Sequence, residues 1–452
     1  MRNNFIIFGH VFNELDMVLP FIDYALTKYK DSVILYSDKR NVVGADNHLK
    51  YLRTRHYLEQ KFFYDEQCFR RYKKILRFRE KVKQIQFNRR KRRKNIRYVS
   101  YVITLLLLMI NRANEIVLER PVKRYVGQLM LSNIIMVYVG GESIFPYSVI
   151  VKYAEKRCIK TIGYFQGFYL YSNLKITGKA VTVKRSIRKV ISDYIKTGKR
   201  QYCNYYLVGK SMKNTFFRSV ASIGFNKMDR IVETVTPRYT KGWTKIFRAY
   251  LMKNEKINYG DEKKTNVVFF LSQVKQKVNF KEFIGIFQLL SRLNNINFIY
   301  KPHTRSSSKY ARDTVGGDFI RFDKVAANGH DGSNINSMLL ADWADVGIVF
   351  GSSIAIQLLI DNVPIIVPSF VHTNTTILEK NKICITADTL DELTNILANN
   401  TKNDIRKLID NARVKKFLNE YFDADKDYEQ IMQEYYEAVV NNGHENKDAL
   451  YI

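Results

Sequence analysis

The stretch WADVGIVFGSSIAIQLLIDNVPIIVPSFVHTNTTIL, residues 343–378, holds two short apolar segments separated by a helical pattern. Residues 344–350 and 363–367 have the length and the β-branched content of buried strands. Between them, Ile354, Leu358 and Leu359 recur at the spacing of one helix face. The order of strand, turn, helix and strand is that of a parallel βαβ unit, and it predicts an α/β domain in this half of the chain.

The turn that opens this helix, Gly351-Ser352-Ser353, has the groups that bind a phosphate. A helix start offers free backbone N–H groups and the positive end of the helix dipole, and the two serines add hydroxyls. An ordinary helix cap accounts for the serines equally well, because serine is a common N-cap residue. His372 and Asn374 follow the second strand and therefore stand at another strand end.

A basic segment ends a strand that lies some fifty residues upstream of this turn. Residues 297–300 predict a short strand that continues into Lys301-Pro302-His303-Thr304-Arg305. Open α/β sheets bind their ligands at the carboxyl ends of the strands. Lys301, His303 and Arg305 are therefore candidate ligands of an anionic group, and with the Gly-Ser-Ser turn they predict a phosphate-binding second domain.

The first half of the chain predicts a further doubly wound α/β unit. Buried strands are predicted at residues 5–8, 32–36, 134–139, 161–165 and 205–208. His10, Glu14 and Asp16 follow the first of these strands, Glu142 follows the strand at 134–139, and Gln166 follows the strand at 161–165. A carboxylate at such a place can act as a general base, and Glu142 is the preferred candidate. Alternatively, these carboxylates only add negative charge to the first turn of a helix. Gln166 could hydrogen-bond a sugar or a phosphate.

The charge balance of the chain requires an anionic partner. The 452 residues carry 74 Lys and Arg against 43 Asp and Glu, a net charge of +31. Much of the excess lies in a predicted helical region at about 47–97, where Lys and Arg are interleaved with Phe, Tyr, Leu and Ile. This mixture favours an anionic membrane surface over a nucleic-acid arm, because no known nucleic-acid motif accompanies it.

Three other segments carry structural expectations. Residues 98–110 (YVSYVITLLLLMI) are too few to span a bilayer, and we expect them in the core, with insertion into a membrane interface as the alternative. Residues 115–118 predict a further strand. From 236 to 264 the periodicity is lost, and residues 246–264 are the predicted linker.

Other features of the sequence exclude several classes of protein. The cysteines, Cys68, Cys158, Cys203 and Cys384, are scattered without a CxxC pair, which argues for a reducing compartment and against a zinc or disulfide framework. The N-terminus turns polar too soon for a signal peptide, and no apolar run reaches eighteen residues. We therefore expect a cytoplasmic protein. No acidic pair of the DxD kind is placed to bind a metal, so neither a metal nor another cofactor is expected.

These motifs resemble those of the GT-B glycosyltransferases of bacterial capsule and lipopolysaccharide synthesis. The resemblance is to the enzymes that use CMP-activated acidic sugars, the Kdo- and sialyltransferases, and more distantly to the CDP-glycerol polymerases of teichoic acid synthesis. Ser352 and Ser353 match the Ser-Ser motif that holds the donor phosphates in these families. Lys301-Pro302-His303-Thr304 stands at the place of their His-Pro motif, in the order Pro-His. Phe165-Gln166-Gly167 stands where related proteins carry a histidine before the glycine.

The resemblance implies an α/β, GT-B-like fold, in which two Rossmann-like doubly wound domains face a cleft and helices close the C-terminus. The expected divisions are 1–245 with the basic insertion at about 47–97, the linker 246–264, the nucleotide-sugar domain 265–425, and a helix and tail 426–452. The expected donor ligands are Lys301, His303, Arg305, Gly351, Ser352, Ser353, His372 and Asn374. Glu142, Glu14 or Asp16 is the expected base, and His10 and Gln166 are expected near the acceptor.

The resemblance further implies transfer of a sugar, from a CMP-sugar by preference, to a lipid-linked or polysaccharide acceptor at the inner face of the plasma membrane. One alternative retains the fold but transfers glycerol phosphate from a CDP-glycerol donor. Another alternative is a non-enzymatic, basic RNA- or membrane-binding protein, in which the polar residues at the strand ends of the second half are idle.

Overall fold

A computed structural model describes most of the chain. The described residues are 2–9, 12–37, 46–56, 58–91, 97–129, 133–139, 145–165, 170, 203–210, 230–271, 279–302, 329–349, 351–371 and 375–441. Several of the expected site residues lie outside these ranges, namely His10, Glu142, Gln166, His303, Arg305, His372 and Asn374.

The described strands of the first half form one parallel sheet. They are β1 (Asn4–Gly9), β2 (Ser32–Ser37), β3 (Glu59–Phe62), β4 (Ile134–Val139), β5 (Lys160–Phe165), β6 (Tyr205–Gly209) and β7 (Ile231–Thr234). Their order is β3-β2-β1-β4-β5-β6-β7, and neighbouring strands are parallel. The order reverses between β1 and β4, where Gly9 lies beside Val139. Doubly wound sheets bind ligands at such a switch point.

The described strands of the second half form another parallel sheet. They are β8 (Thr265–Phe270), β9 (Ile296–Lys301), β10 (His330–Asp331), β11 (Val346–Val349), β12 (Ile365–Pro368) and β13 (Ile385–Ala387). Their order is β10-β9-β8-β11-β12-β13. This order reverses between β8 and β11, where Phe270 lies beside Val349. Each half of the chain therefore has its own switch point, and the predicted doubly wound architecture is confirmed.

Helices cover the faces of both sheets. Those of the first half are α1 (Phe12–Tyr24), α2 (Asp46–Arg55), α3 (Lys73–Lys91), α4 (Arg97–Gly127) and α5 (Tyr147–Glu155). Those that follow are α6 (Lys241–Asn254), α7 (Phe280–Arg292), α8 (Ser337–Trp343), α9 (Ile354–Ile360), α10 (Ile377–Lys380), α11 (Leu390–Asn399), α12 (Lys402–Lys407), α13 (Asn411–Phe422) and α14 (Tyr428–Val440). Because both faces of each sheet are covered, the central strands, such as β1, β4 and β8, read as largely apolar runs in the sequence.

The last two helices pack on different halves of the molecule. Phe417 and Phe422 of α13 are buried with the second sheet, whereas Tyr435 and Tyr436 of α14 are buried with the first. The chain turns between the helices at Asp423, whose φ is +47°. Helix α14 is then held by a stacked ring pair of Tyr436 with Tyr29 at a centroid distance of 3.8 Å. The C-terminal helices therefore cross back to the first sheet and fasten the two halves together.

The structure corrects four local expectations. Residues 115–118 are helical, because they belong to α4, which extends from Arg97 to Gly127. Residues 98–110 are in the same helix, and the expectation that they lie in the core is wrong for its outer face, where Met109 is 60% exposed. The region 47–97 is not helical throughout, since it contributes β3 to the edge of the first sheet.

The fourth correction concerns residues 236–264, where the sequence predicts a loss of periodicity. Helix α6 occupies 241–254 and buries Trp243, Phe247 and Leu251 on one face. This helix also extends across the expected end of the first domain, between residues 245 and 246. The division of the chain into domains at the stated residues stays a prediction.

Candidate functional site

The Gly-Ser-Ser turn lies directly beyond the carboxyl end of β11, next to the switch point of the second sheet. Gly351 has a φ of +66°, a conformation that side-chain-bearing residues rarely adopt, so the chain can turn sharply from the strand into α9. Ser353 is the N-cap of α9, but its side chain makes no capping hydrogen bond. The Ser353 hydroxyl therefore does not act as an ordinary helix cap.

Backbone N–H groups of this turn have no acceptor among the described residues. The carbonyl oxygens of Ser352 and Ser353 accept from Ala355 N and Ile356 N, both at 3.2 Å. Within the described ranges, the N–H groups of Ser352, Ser353 and Ile354 donate to no acceptor. Such N–H groups at the start of a helix attract an anion. The turn can therefore bind a phosphate without any rearrangement of its backbone.

A short 3₁₀ turn, Pro237–Tyr239, lies between the two sheets near the Gly-Ser-Ser turn, and its Tyr239 is buried in the cluster of the second sheet. The hydroxyl of Tyr239 lies near the side chain of Ser353. Burial raises the pKa of Tyr239, so this hydroxyl stays protonated. The ring also packs edge-on against Phe422 of α13 at 5.3 Å. Tyr239 therefore forms one wall beside Ser353.

The neighbouring residue, Arg238, joins the two halves through a buried ion pair. Arg238 Nε donates to Asp16 Oδ2 of α1 at 2.7 Å, and His48 Nε2 of α2 lies 2.9 Å from Asp16 Oδ1. Arg238 Nη1 also donates to Gln357 Oε1 of α9 at 3.2 Å. Thr244 Oγ1 donates to the same oxygen at 3.2 Å. These contacts connect α1 of the first sheet to the helix that follows the Gly-Ser-Ser turn.

The environment of Asp16 does not favour the role of a general base. Burial alone would raise its pKa, but the charge of Arg238 and the hydrogen bond with His48 outweigh that effect and lower the pKa to about 2. Both carboxylate oxygens also have partners. A carboxylate of such low basicity accepts a proton poorly, so the geometry supports a structural role for Asp16.

Lys301 lies at the carboxyl end of β9, as expected, but its ammonium group is already occupied. Nζ donates to the carbonyl oxygens of Gly332 and Ser333 at 2.9 Å and of Ile335 at 2.5 Å. An ammonium group has three donors, so this set uses all of them. Burial lowers the pKa of Lys301 to about 8. Lys301 therefore fixes the turn after β10, and its contact with a donor phosphate stays a prediction that this geometry does not favour.

We expect the substitution Lys301→Met to lower the melting temperature by several degrees. Each buried carbonyl that loses its donor costs about 1–3 kcal/mol. Lys281→Met, at an exposed position of α7, is the matched control and should leave the melting temperature unchanged. If Lys301→Met kept its stability but lost nucleotide binding, Lys301 would instead be a direct ligand.

Glu14 lies in the first turn of α1, where a carboxylate also stabilises the helix dipole. It is partly buried and has partners in the structure. His10 precedes α1, and Glu142 follows β4; both residues lie outside the described ranges, as do Gln166, His303, Arg305, His372 and Asn374. Their roles stay predictions.

One described residue shows where the segment after β5 continues. Leu170 is buried within the apolar cluster of the second sheet, and its carbonyl oxygen accepts from Ile377 N at 2.6 Å. The chain after β5 therefore crosses from the first half to the start of α10.

Sequence reasoning missed the residues that hold the halves together: Arg238, Tyr239, His48 and Gln357. Pro237-Arg238-Tyr239 lies in the stretch for which the sequence predicts no periodic structure, and no role was predicted for His48 or Gln357. The available signal was Gln357, a polar residue within the otherwise apolar segment Ile354–Ile360. The structure buries all seven residues of this segment. A buried polar group requires a partner.

The described residues contain no cluster of three His, Cys, Asp or Glu side chains placed to hold a metal ion. None of the described helices combines the length and the apolar character needed to cross a membrane.

Comparisons with known proteins identify similar folds. No family model matches the sequence, and no curated protein shows significant sequence similarity. A solved wall teichoic acid polymerase, TagF, soaked with CDPG, is 13% identical, with a TM-score of 0.50 over 96% of this chain and 88% of that chain. A putative UDP-N-acetylglucosamine 2-epimerase from Listeria monocytogenes is 8% identical, with a TM-score of 0.47 over 95% of this chain and 98% of that chain. The glycotransferase of kitacinnamycin is 10% identical, with a TM-score of 0.49 over 97% of this chain and 100% of that chain.

At these identities the similarity concerns the fold alone. The TagF structure, with a TM-score of 0.50, has a GT-B fold and matches this chain over nearly its whole length. Together with the two parallel sheets and the crossing C-terminal helix, this confirms the expected GT-B-like fold.

Proposed function

We propose that the protein is a glycosyltransferase that moves a sugar from a nucleotide-activated donor to a lipid-linked or polysaccharide acceptor of bacterial capsule or lipopolysaccharide synthesis. The observation that carries the proposal is the turn Gly351-Ser352-Ser353 at the switch point of the second sheet, where three N–H groups donate to no described residue. A CMP-sugar is the preferred donor, because the Ser-Ser motif resembles that of CMP-sugar transferases.

In this proposal the second half binds the donor. The N–H groups and hydroxyls of Ser352 and Ser353 bind the nucleotide phosphate and stabilise its negative charge as it leaves. His303, Arg305, His372 and Asn374, which follow β9 and β12 in the sequence, are further proposed ligands. Lys301 is proposed to act indirectly, because it holds the turn after β10 in place. We propose that the reaction needs no metal, since these donors supply the positive potential.

The first half is proposed to bind the acceptor and to supply the base. Glu142 is the preferred base because it follows β4 at the switch point of the first sheet, with Glu14 as the second candidate. The acceptor hydroxyl gives its proton to the carboxylate while its oxygen bonds to the sugar carbon. The bond between that carbon and the phosphate oxygen breaks, and the nucleotide leaves. His10 and Gln166 are proposed to contact the acceptor.

The proposed cellular place is the inner face of the plasma membrane, where lipid-linked acceptors are presented. The net charge of +31 supports binding to an anionic surface.

Nucleotide binding is the direct test. A ligand that binds the native state raises the melting temperature by mass action. We expect CMP to raise it more than CDP, UDP, GDP or ADP, equally with and without EDTA. We expect the double variant Ser352→Ala, Ser353→Ala to fold normally and to show no shift.

Ser369→Ala is the matched control for that variant. Ser369 follows the neighbouring strand β12, but its hydroxyl already donates to Ala387 O at 3.1 Å and contacts Asp388. Removal of the Ser369 hydroxyl should leave the nucleotide-induced rise in melting temperature unchanged. A full shift in the Ser352/Ser353 variant would reject the site. If no nucleotide raised the melting temperature of the native protein, the proposed enzyme would be rejected. The non-enzymatic RNA- or membrane-binding alternative would then be favoured.

Glycerol phosphate transfer is the second candidate, and the fold similarity to the TagF polymerase favours it. It predicts a larger shift with CDP than with CMP, and release of CMP when CDP-glycerol is supplied with a lipid-linked acceptor.

A further inference from the structure

An uncovered apolar stripe runs along the outside of α4. Val102, Leu106, Met109 and Ile116 are spaced by four, three and seven residues, which places them on one helix face. Their exposed fractions are 56%, 52%, 60% and 57%. From Val102 to Ile116 the stripe measures roughly 21 Å at 1.5 Å per residue. Isolated exposed apolar residues are ordinary, but a continuous stripe of this length marks an interaction surface.

The opposite face of the same helix is fixed to the first half of the molecule. Leu118, Val122 and Val126 are fully buried in one cluster with Ile150 and Val151 of α5. This anchor lies at the C-terminal end of the stripe. The described residues therefore fix α4 where the stripe ends and leave its outer face exposed.

Helix α3 packs beside α4 and carries exposed basic residues of its own. Lys74, Phe78, Lys81 and Ile85 follow one another at helical spacing and are all exposed. Helix α3 ends at Lys91 and α4 begins at Arg97, so the basic sequence RRKRRKNIR, residues 89–97, spans the connection between the two helices. Apolar side chains among lysines and arginines are typical of helices that lie in a membrane interface.

We propose that the hairpin of α3 (Lys73–Lys91) and α4 (Arg97–Gly127) is a membrane-docking surface that lays the α4 stripe into an anionic lipid leaflet. Charge complementarity identifies the lipid, because the surrounding charges are basic and phospholipid headgroups of anionic leaflets are acidic. The same charges oppose a second copy of this chain, which would bring two basic hairpins together. The inference does not depend on which donor the protein uses.

Arg79 joins the hairpin to the segment that follows β4. The side chain of Arg79 in α3 is 1% exposed, and Arg79 Nη2 lies 3.2 Å from Glu115 Oε1 of α4. Its guanidinium also lies 4.6 Å from the centre of the Phe145 ring. Phe145 ends the segment that follows β4, in which the sequence places Glu142. Docking through the hairpin therefore orients the proposed acceptor side of the cleft relative to the lipid surface.

Vesicle binding tests this surface. We expect the full-length protein to sediment with vesicles of phosphatidylglycerol and phosphatidylcholine, and much less with phosphatidylcholine alone. We expect Leu106→Glu, Met109→Glu to lower the partition coefficient by about tenfold or more, because two apolar contacts are replaced by charges that anionic lipid repels.

The chain offers a matched control for that variant. Met252 and Leu408 are exposed apolar residues elsewhere, at 45% and 55%, so Met252→Glu, Leu408→Glu makes the same chemical change away from the hairpin. It should bind anionic vesicles like the native protein. An equal loss in both double variants would mean that net charge alone governs binding, and it would overturn the proposal.

Two further measurements distinguish loss of docking from misfolding and from dissociation of a dimer. Circular dichroism and the nucleotide-induced thermal shift should be unchanged in Leu106→Glu, Met109→Glu, so failure of docking and failure of the proposed function are distinguishable. Light scattering should show the same molar mass for this variant and the native protein. A native dimer that the variant converts to a monomer, with no vesicle binding by either, would make the stripe a subunit interface and overturn the proposal.

Discussion

Replacement of Arg238 by methionine is expected to lower the free energy of unfolding by about 3–5 kcal/mol, the usual cost of leaving one charge of a buried pair without its partner. The side chains of Arg238 and Asp16 are 7% and 13% exposed, and the ion pair spans 2.7 Å. Without the guanidinium, Asp16 retains His48 but must either stay charged in a poorly solvated place or take up a proton. Denaturation with urea measures the loss.

A surface ion pair provides the control for this prediction. Arg413 lies 3.0 Å from Asp410, and both side chains are about half exposed, at 52% and 47%. Arg413→Met should cost less than about 1 kcal/mol, because exposed pairs are screened by solvent. A second variant, Arg238→Met with Asp16→Leu, should recover part of the lost stability, since no charge is then left buried. Equal small losses for Arg238→Met and Arg413→Met would contradict the buried arrangement.

The same ion pair predicts a pH dependence with a definite sign. The pKa of Asp16 is lowered from 3.8 to about 2, so its contribution to stability is complete above about pH 4 and is lost as the pH falls toward 2. In Arg238→Met the main lowering charge is absent, and burial acts to raise the pKa. The difference in stability between the native protein and the variant should therefore shrink as the pH falls from about 4 to 2. A difference that stays constant would contradict the assignment to Asp16.

Arg238 also links the ion pair to the proposed donor site. It hydrogen-bonds Gln357 of α9, and its neighbour Tyr239 lies near Ser353. The position of the Gly-Ser-Ser turn relative to α1 therefore depends on one short segment between the sheets. A loss of Arg238 should weaken nucleotide binding indirectly, through the turn, without removal of any proposed ligand.

The sequence was sufficient to predict the local units of the fold. Parallel strands that are covered on both faces must be apolar throughout, so β1, β4, β8 and β11 are visible as short runs that end at glycine or at polar residues. The Gly-Ser-Ser turn was recognisable for the same reason, because its strand, turn and helix are adjacent in the chain.

The contacts between distant segments could not be predicted in this way. Asp16 and Arg238 are 222 positions apart, and no periodic pattern connects them. The position of Asp16 after a strand therefore makes it a candidate base, but the sequence does not show that Arg238 is its partner. The error at residues 98–110 has a related cause. Apolar periodicity shows that a helix has an apolar face, but it does not show whether the rest of the protein covers that face.

Replacement of Trp243 by alanine is the second large effect that we expect, at about 3–5 kcal/mol, because a fully buried indole leaves a cavity. Trp243 of α6 is 0% exposed, packs edge-on against Tyr51 of α2 at 5.7 Å and stacks on Phe247 at 5.6 Å. The same cluster includes Met338 and Leu339 of α8, from the second half, and Tyr435 of α14. Trp243 is thus packed where both halves and the C-terminal helix meet.

This position makes the substitution a test of cooperativity as well as of packing. If the shared cluster joins the two halves into one folding unit, Trp243→Ala should shift a single unfolding transition as a whole. The chain has two tryptophans, and Trp343 is partly exposed, so Trp343→Ala is the matched control and should cost clearly less. Trp343→Phe leaves Trp243 as the sole indole reporter, whose fluorescence should change together with the circular dichroism of the entire chain. Separate transitions, with only the first affected by Trp243→Ala, would mean that the two sheets unfold independently and that the contacts through α6 do not bind the halves together.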